Sequence, residues 1–222
     1  MAELAPRRYR AIVFDWDGTL ADSTALIAGA LQRACAAIGC AVPSETDARY
    51  VIGLGLADAL AHVAPGLSPD QQRALTAHYR THYLGGEATI PLFDGAPALL
   101  EELDAAGFLL GVATGKTRVG LDRAIAANGL AGRFHATRCA DEGFPKPHPG
   151  MLHALMDRLG VQPGETLMIG DTTHDLDLAR NAGAHAVAVA YGAHDVEGLR
   201  TRAPLALVHS IAELRQWLSS HA

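Results

Sequence analysis

Residues 11–23 read Ala-Ile-Val-Phe-Asp-Trp-Asp-Gly-Thr-Leu-Ala-Asp-Ser, and this stretch decides the fold. Its first four residues form a continuous apolar run, which is typical of a strand covered on both faces. Asp15 and Asp17 follow two residues apart, so their side chains point the same way if strand geometry persists. Two like charges are costly to bury together unless a cation or a proton compensates them, and Gly18 lets the backbone turn closely around a ligand. The segment predicts a buried strand that ends in a ligand site.

Short apolar runs recur along the rest of the chain and alternate with helical patterns. The helical patterns have readable ends, such as Gly107 after residues 97–106 and the Ser210-Ile211-Ala212-Glu213 capping sequence before the last helix. Alternation of strands and helices is typical of an α/β fold with a doubly wound parallel sheet, here called the Rossmann-like core. The further predicted strands are residues 109–113, 166–169, 186–190 and 205–208.

One long stretch interrupts this alternation. Residues 23–91 contain helical patterns and no convincing strand, including a capping sequence at Ser68 with Gln71 three residues later. A helical insert directly after the first strand indicates a small second domain. We therefore expect a Rossmann-like catalytic core formed by residues 1–22 and 92–222, with residues 23–91 forming a helical cap domain.

Composition excludes several classes of protein. The chain has 222 residues, 49% of them apolar, and a formal net charge of -6, which does not suit a nucleic-acid-binding protein. No apolar run approaches the roughly 20 residues of a membrane span. The three cysteines include no CxxC pair, so we expect reduced thiols and a cytoplasmic location.

Three more polar clusters follow predicted strands. They are Thr114-Gly115-Lys116, the loop with Lys146, and residues 170–175, which include Asp171 and Asp175. Loops at the carboxyl ends of parallel strands gather at one edge of the sheet, where ligands bind. We therefore expect these clusters to converge on Asp15 and Asp17.

The chain has two lysines, and both fall in these loops. An ammonium group is a compact point charge, which suits contact with a phosphate. Lys146 is the stronger candidate for such a contact. Lys116 could equally be a surface residue at the start of a helix.

The four clusters together resemble the four motifs of the haloacid dehalogenase-like hydrolases. Residues 15–23 resemble the first motif, Thr114 the second, Lys146 the third, and residues 170–175 the fourth, in the same order and over essentially the whole chain. The resemblance implies that Asp15 is a nucleophile that forms an aspartyl-phosphate and that Asp17 is a general acid and base.

The same resemblance implies a Mg²⁺ site and a phosphate site. Asp15, the backbone carbonyl of Asp17 and Asp171 would hold the metal, with Asp175 orienting a bound water, since hard oxygen ligands suit magnesium. Phosphoryl oxygens would be held by Thr114 and by backbone amides near Gly18 and Gly115, with Lys146 neutralising charge and Lys116 as a further candidate for substrate contact.

The branches of this family differ in residues that the chain allows us to inspect. Dehalogenases lack the second aspartate, whereas Asp17 is present; the phosphonate-cleaving branch needs a lysine in the cap, and residues 23–91 contain none. The position of the insert resembles the phosphoglycolate phosphatase and β-phosphoglucomutase group. It implies a magnesium-dependent phosphatase acting on a small phosphate monoester similar to phosphoglycolate. A sugar-phosphate mutase and a catalytically silent binding protein remain as alternatives.

Substrate selection is expected to come from the cap. Arg49 precedes the Gly53-Leu54-Gly55 loop by about one helical turn and could pair with a substrate carboxylate, or it could be a solvated surface residue. The expected partner is a small phosphorylated metabolite, with neither nucleic acid nor membrane, and the expected assembly is a monomer or a homodimer.

Overall fold

The computed structural model describes residues 8–222, so the first seven residues of the predicted core lie outside the described part. Six parallel strands form one sheet in the order β3-β2-β1-β4-β5-β6. The strands are β1 (Ala11–Phe14), β2 (Leu109–Thr114), β3 (Ala136–Cys139), β4 (Thr166–Gly170), β5 (His185–Val189) and β6 (Leu207–Val208). This is the doubly wound parallel sheet that the sequence predicts.

Ten α-helices accompany the strands within residues 8–222. They are α1 (Thr24–Ala37), α2 (Glu45–Tyr50), α3 (Leu56–Val63), α4 (Pro69–Glu87), α5 (Ala96–Ala105), α6 (Arg118–Ala127), α7 (Gly150–Leu159), α8 (Thr173–Asn181), α9 (Val196–Arg200) and α10 (Ile211–His221). Helix α4 begins with the predicted capping box, since Ser68 and Gln71 each bond to the other's backbone. At α10 one half of the predicted capping box is present, since the Ser210 hydroxyl accepts from the backbone N–H of Glu213. The Glu213 carboxylate accepts from the backbone N–H of His209 and not from that of Ser210.

The continuous apolar run of β1 is explained by its place at the centre of the sheet. Phe14 lies opposite Val112 of β2 and Ile169 of β4. Its Ile12 and Phe14 side chains join the cluster under α5, α6 and α10, and the alternate residues join the cluster under α7 and α8. Both faces are covered, so no polar alternation is needed.

Strand β3 was absent from the predicted strands. It lies at the edge of the sheet and is mostly half-buried, with Thr137 and Arg138 at its centre. The apolar run that reveals a central strand is therefore missing here. The last predicted strand, 205–208, is shorter in the structure and covers Leu207–Val208.

Helices α1 to α4 bury their apolar faces mainly against one another in a separate cluster that includes Leu31, Leu60 and Leu75. The two ends of this helical segment lie side by side, since the backbone N–H of Asp22 donates to the carbonyl of Pro91 at 3.0 Å. The exact boundaries at 22/23 and 91/92 stay a prediction. Below, "cap" denotes helices α1 to α4 and their loops.

None of the helices in residues 8–222 combines the length and the apolar character that crossing a membrane requires.

Candidate active site

Asp15 follows β1 directly and is completely buried. Its backbone N–H donates to the carbonyl of Ile169 at 2.8 Å, which fixes the residue against β4. Lys146 Nζ lies 2.8 Å from Asp15 Oδ1 and forms an ion pair with it. Among the described residues, neither carboxylate oxygen of Asp15 has a hydrogen-bond donor. Asp15 therefore presents a carboxylate that is ion-paired and otherwise free to contact a ligand.

Asp171 and Asp175 join Asp15 to form a buried acidic cluster. One carboxylate oxygen from each of the three residues lies within 4.8 Å of the others. Asp171 accepts hydrogen bonds from Thr19 Oγ1 and from the backbone of Ala193, each at 2.7 Å. Asp175 ends the N-terminal turn of α8, where it binds the hydroxyl of Thr172. The predicted convergence of the first and fourth clusters is thus present.

The electrostatics of this cluster call for a cation. Burial, followed by the charges of Asp175 and Asp171 and opposed by Lys146, raises the pKa of Asp15 well above its usual range. Burial and the charge of Asp175 likewise raise the pKa of Asp171 to about 7. One ammonium group faces three carboxylates, so the ionised cluster keeps an excess negative charge. An unbonded buried carboxylate among hard oxygen donors is the donor set that Mg²⁺ prefers.

Lys146 brings the third polar cluster into contact with the first, at Asp15, and with the fourth, at Asp175. Its Nζ lies 2.6 Å from Asp175 Oδ1 in addition to the ion pair with Asp15, and its side chain is fully buried. A buried lysine with two carboxylate partners stays protonated, because these partners oppose the effect of burial and raise its pKa. The ammonium therefore stands beside the candidate nucleophile as a permanent positive charge.

Asp17 turns away from the acidic cluster. Its Oδ1 accepts from Ser23 Oγ at 2.7 Å and lies 3.1 Å from Lys116 Nζ. Its predicted role at the metal rests on its backbone carbonyl and not on this side chain. Lys116 is not the surface residue that one interpretation expected, because its side chain is 8% exposed and its Nζ donates to the hydroxyl of Tyr83.

The glycines of the predicted phosphate site are places of close approach. Gly18 has φ +82°, and a Cβ there would lie 2.2 Å from Asp171 Oδ2. A Cβ on Gly115 would lie 2.4 Å from the carbonyl oxygen of Leu54, so the cap loop rests directly on the end of β2. Thr114, just before it, is buried and accepts the backbone N–H of Lys116 at 3.2 Å. The structure therefore brings the second cluster to the same edge as Asp15.

Arg49 does not join this site. Its Nε donates to Glu45 at 3.1 Å, and its Nη1 contacts Thr24 Oγ1 at 3.3 Å. Its side chain is 29% exposed, and it is not among the residues that line the cavity beside Asp17. The guanidinium of Arg49 thus already contacts two groups within the cap, Glu45 and Thr24.

A cavity of about 480 Å³ lies between the cap and the core, beside Asp17 and Lys116. Helix α4 contributes Tyr79, Arg80 and Tyr83 to its wall. Sequence reasoning missed these residues. Tyr79 and Tyr83 are spaced four apart, which places them on one face of a helix, but nothing local shows that this face meets Lys116.

Two histidines tie the cap to the core. The Nε2 atoms of His174 and His194 lie 2.8 Å and 2.9 Å from the carbonyl oxygen of Tyr50, at the end of α2. His174 is 7% exposed. Its role in the structure is to hold α2 against the core.

Comparison with known proteins agrees with this geometry. The model of the family described as haloacid dehalogenase-like hydrolase matches residues 12–189. A phosphoglycolate phosphatase from Rhodospirillum rubrum is 32% identical over 222 aligned positions, covering 94% of this chain and 90% of the relative. A 5'-nucleotidase from Pseudomonas aeruginosa is 34% identical, covering 98% of this chain and 99% of the relative. The crystal structure of a hydrolase from Pseudomonas syringae has a TM-score of 0.88 at 24% identity, covering 96% and 99% of the two chains, which is a likeness of fold.

Proposed function

The chain belongs to the haloacid dehalogenase-like hydrolase family and is a phosphatase, and we propose that it hydrolyses small phosphate monoesters with Mg²⁺ through an aspartyl-phosphate on Asp15. The observation that carries this proposal is the carboxylate of Asp15. It is fully buried, unbonded at both oxygens among the described residues, and held beside Lys146 at 2.8 Å. A buried carboxylate without hydrogen bonds destabilises the folded chain. Its free oxygens are available to attack a bound phosphoryl group, which is the function we propose for them.

In the first step, an oxygen of Asp15 attacks phosphorus, and the bond from phosphorus to the alcohol oxygen breaks. Asp17 gives the departing alcohol its proton, so the alcohol does not leave as an alkoxide. Lys146 stays protonated and offsets the charge on the phosphoryl oxygens. Its second partner, Asp175, holds the ammonium in position at 2.6 Å.

In the second step, a water molecule attacks the aspartyl-phosphate. Asp17, now ionised, takes a proton from the water, and the bond between phosphorus and Asp15 breaks to release inorganic phosphate. Asp15, the Asp17 carbonyl and Asp171 would hold Mg²⁺, with Asp175 beside them, and the ion supplies positive charge at the phosphoryl group. Thr114 and the backbone at Gly18, Gly115 and Lys116 are proposed to hold the phosphoryl oxygens.

The cap is proposed to close the site while this chemistry proceeds. The carbonyl oxygen of Leu54 lies so close to Gly115 that the loop leaves no room for a side chain there. A closed site excludes water during the first step and protects the reactive intermediate. Phosphoglycolate is the reference substrate to test first, because a relative named phosphoglycolate phosphatase aligns over most of the chain.

The test is phosphate release from phosphoglycolate and from 4-nitrophenyl phosphate by the purified chain, with Mg²⁺ or with excess chelator. We expect turnover with Mg²⁺, loss of turnover with chelator, and a gain of one phosphoryl group in the intact mass of the rapidly quenched enzyme. Asp15→Asn is the control for the mass gain. Undiminished turnover in chelator, or a phosphorylated Asp15→Asn chain, would contradict the mechanism. Release of one phosphate per substrate without an isomeric product separates a phosphatase from a mutase.

A further inference from the structure

The row of groups that leads away from Asp17 decides what kind of alcohol this site can release. Asp17 Oδ1 lies 3.1 Å from Lys116 Nζ, and Lys116 Nζ lies 2.5 Å from the hydroxyl of Tyr83. The Tyr83 ring stacks on the Tyr79 ring, with centroids 5.8 Å apart and an angle of 15° between the planes. The wall of the cavity thus runs from the candidate general acid along two aromatic rings.

The remaining wall of this cavity is largely apolar. Ile27 and Leu31 come from α1, Ile52 and Leu54 from the loop before α3, and Val119 from α6. The cavity volume of about 480 Å³ falls in the range of roughly 300–1,000 Å³ that is usual for sites enclosing whole organic ligands. A two-carbon acid such as phosphoglycolate has neither the volume nor the apolar surface to fill it.

Two polar groups in the wall have no partner among the described residues. The Tyr79 hydroxyl makes no hydrogen bond within residues 8–222, and burial raises its pKa, so it is a neutral donor. Arg80, next along α4, is an exposed residue of the wall, and its guanidinium makes neither an ion pair nor a hydrogen bond in the same range. By contrast, the other charged α4 residue that lines the cavity, Glu87, is paired with Arg123 at 3.1 Å.

From this arrangement, and resting on the proposed function, we propose a substrate class for the site: phosphate monoesters of a ring-containing alcohol that carries a hydrogen-bond acceptor or an anionic group. The phosphoryl group sits at Asp15, and the alcohol oxygen faces Asp17. The ring packs along Tyr83 and Tyr79, since aromatic pairs stack at centroid distances of about 4.5–7 Å. The acceptor meets the Tyr79 hydroxyl and the Arg80 guanidinium, which matches a carboxylate with two parallel hydrogen bonds.

The test compares three esters of primary alcohols, so that the leaving groups are chemically matched: ethyl phosphate, 2-phenylethyl phosphate and 2-(4-carboxyphenyl)ethyl phosphate. With the purified chain and Mg²⁺, we expect kcat/KM to rise at least about tenfold when the ring is added, which corresponds to about 1.4 kcal/mol. We expect a further rise with the carboxyl group. Equal kcat/KM values for the ethyl and 2-phenylethyl esters would overturn the proposal.

Variants of the cavity wall separate the two parts of the proposal. Tyr79→Leu should remove most of the gain from the ring, measured as the ratio of kcat/KM for 2-phenylethyl phosphate to that for ethyl phosphate, and circular dichroism with thermal melting shows that the variant is folded. Tyr79→Phe is the matched control: it should keep the gain from the ring and lose part of the gain from the carboxyl group, as should Arg80→Gln. A loss that is the same for all three esters in Tyr79→Leu would contradict a role in recognising the ring.

Binding distinguishes failure of this inference from failure of the proposed function. Calorimetric titration of the same esters into Asp15→Asn with Mg²⁺ does not depend on turnover. If the unmodified chain hydrolyses neither these esters nor 4-nitrophenyl phosphate, the proposed function fails, and the order of affinities still decides what the cavity accepts. If hydrolysis occurs and the esters bind with equal affinity, the substrate class alone fails.

Discussion

Asp15 and Asp17 are two residues apart in sequence but occupy different electrostatic surroundings. Asp15 lies in the acidic cluster with Lys146, whereas Asp17 pairs with Lys116 and with the hydroxyl of Ser23. Asp171 is bound by Thr19, which stands two residues after Asp17. The short first motif therefore supplies the candidate nucleophile, the candidate acid and a group that orients the acidic cluster.

Asp15→Asn is expected to abolish turnover without unfolding the chain. The amide is nearly isosteric but is a poor nucleophile, so we expect kcat to fall by at least about a thousandfold, as for other losses of a nucleophile. Removing one of three buried carboxylates also relieves repulsion, so the melting temperature should not fall. Phosphate release and thermal melting, measured on the same preparation, check both statements. Activity that stays within tenfold of the unmodified chain would exclude Asp15 as the nucleophile.

Asp17→Asn should slow esters with poor leaving groups more than esters with good ones. General acid catalysis typically contributes about 100- to 10,000-fold, and it matters most when the departing oxygen is strongly basic. The measurement is kcat for ethyl phosphate against 4-nitrophenyl phosphate in the variant and in the unmodified chain. The same fold loss for both esters would count against the role of Asp17 as a general acid.

At the scale of single residues, the sequence predicted the positions that follow central strands and missed those defined by packing between elements. Asp15 and Asp171 could be placed together because the topology brings the ends of parallel strands to one edge, whereas Lys146 follows the edge strand β3, which the sequence did not predict. The sequence indicated Arg49 because it precedes the cap loop by about one helical turn. Arg49 pairs with Glu45 within α2, while Arg80 lines the cavity. Which face of α4 meets the core depends on how the helices pack, and no local pattern records that.

At the scale of elements, the cap loop contacts the end of β2 beside the candidate site. Gly115 lies at this contact, where a Cβ would come within 2.4 Å of the Leu54 carbonyl and 2.7 Å of the Gly53 carbonyl. Both neighbours are backbone, so the loop has to move as a whole to make room. The sequence indicated that the loop at residues 53–55 lies near the site. It did not show that position 115 needs a glycine, because that need follows from the contact between the loop and β2.

Gly115→Ala is therefore expected to hold the cap loop away from the phosphate site. Displacement of catalytic geometry by about 1 Å can cost about 100-fold in rate, and we expect a fall in kcat/KM of that order with little change in melting temperature. Gly164→Ala is the matched control, since a Cβ there meets nothing within 4 Å. Steady-state kinetics on 4-nitrophenyl phosphate measures the effect. Equal kcat/KM in the two variants would show that the loop does not need this close approach.

A strand could be predicted from the sequence when both of its faces are covered by apolar side chains. Strand β1 is covered on both faces and reads as an unbroken apolar run, so its bounds agree with the structure. Strand β3 lies at the edge with partly exposed residues, and its sequence carries no comparable signal. Edge strands are weakly marked because one side of their backbone and part of their side chains face solvent.

At the scale of the whole molecule, the fold buries three carboxylates close together. By itself, this repulsion between like charges destabilises the folded chain. Asp15, Asp171 and Asp175 are fully buried, and the single ammonium of Lys146 offsets only part of their negative charge. The cap contacts this edge at Gly115, and His174 and His194 anchor α2 to the core at the carbonyl of Tyr50. A cation bound in the cluster would therefore stabilise the folded chain as well as serve the reaction.

Mg²⁺ should raise the melting temperature of the unmodified chain, because the groups proposed to hold the ion are assembled in the folded chain and not when the chain is unfolded. At a concentration of about 100 times the dissociation constant, binding contributes about 2.7 kcal/mol. For a chain of this length, that corresponds to a rise of roughly 5–10 °C. Thermal melting in excess chelator and with added Mg²⁺ measures the shift.

Asp171→Asn separates stabilisation by the metal from a general effect of salt. The amide oxygen can still accept from Ala193, and the Thr19 hydroxyl can rotate to accept from the amide, so the packing is kept. With one buried charge removed, the variant should melt higher than the unmodified chain in chelator, and it should lose most of its response to Mg²⁺. Asp157→Asn, at an exposed position on α7, is the matched control and should respond like the unmodified chain. A full response to Mg²⁺ in Asp171→Asn would place the ion elsewhere, since a cation held by this cluster cannot be indifferent to one of its three carboxylates.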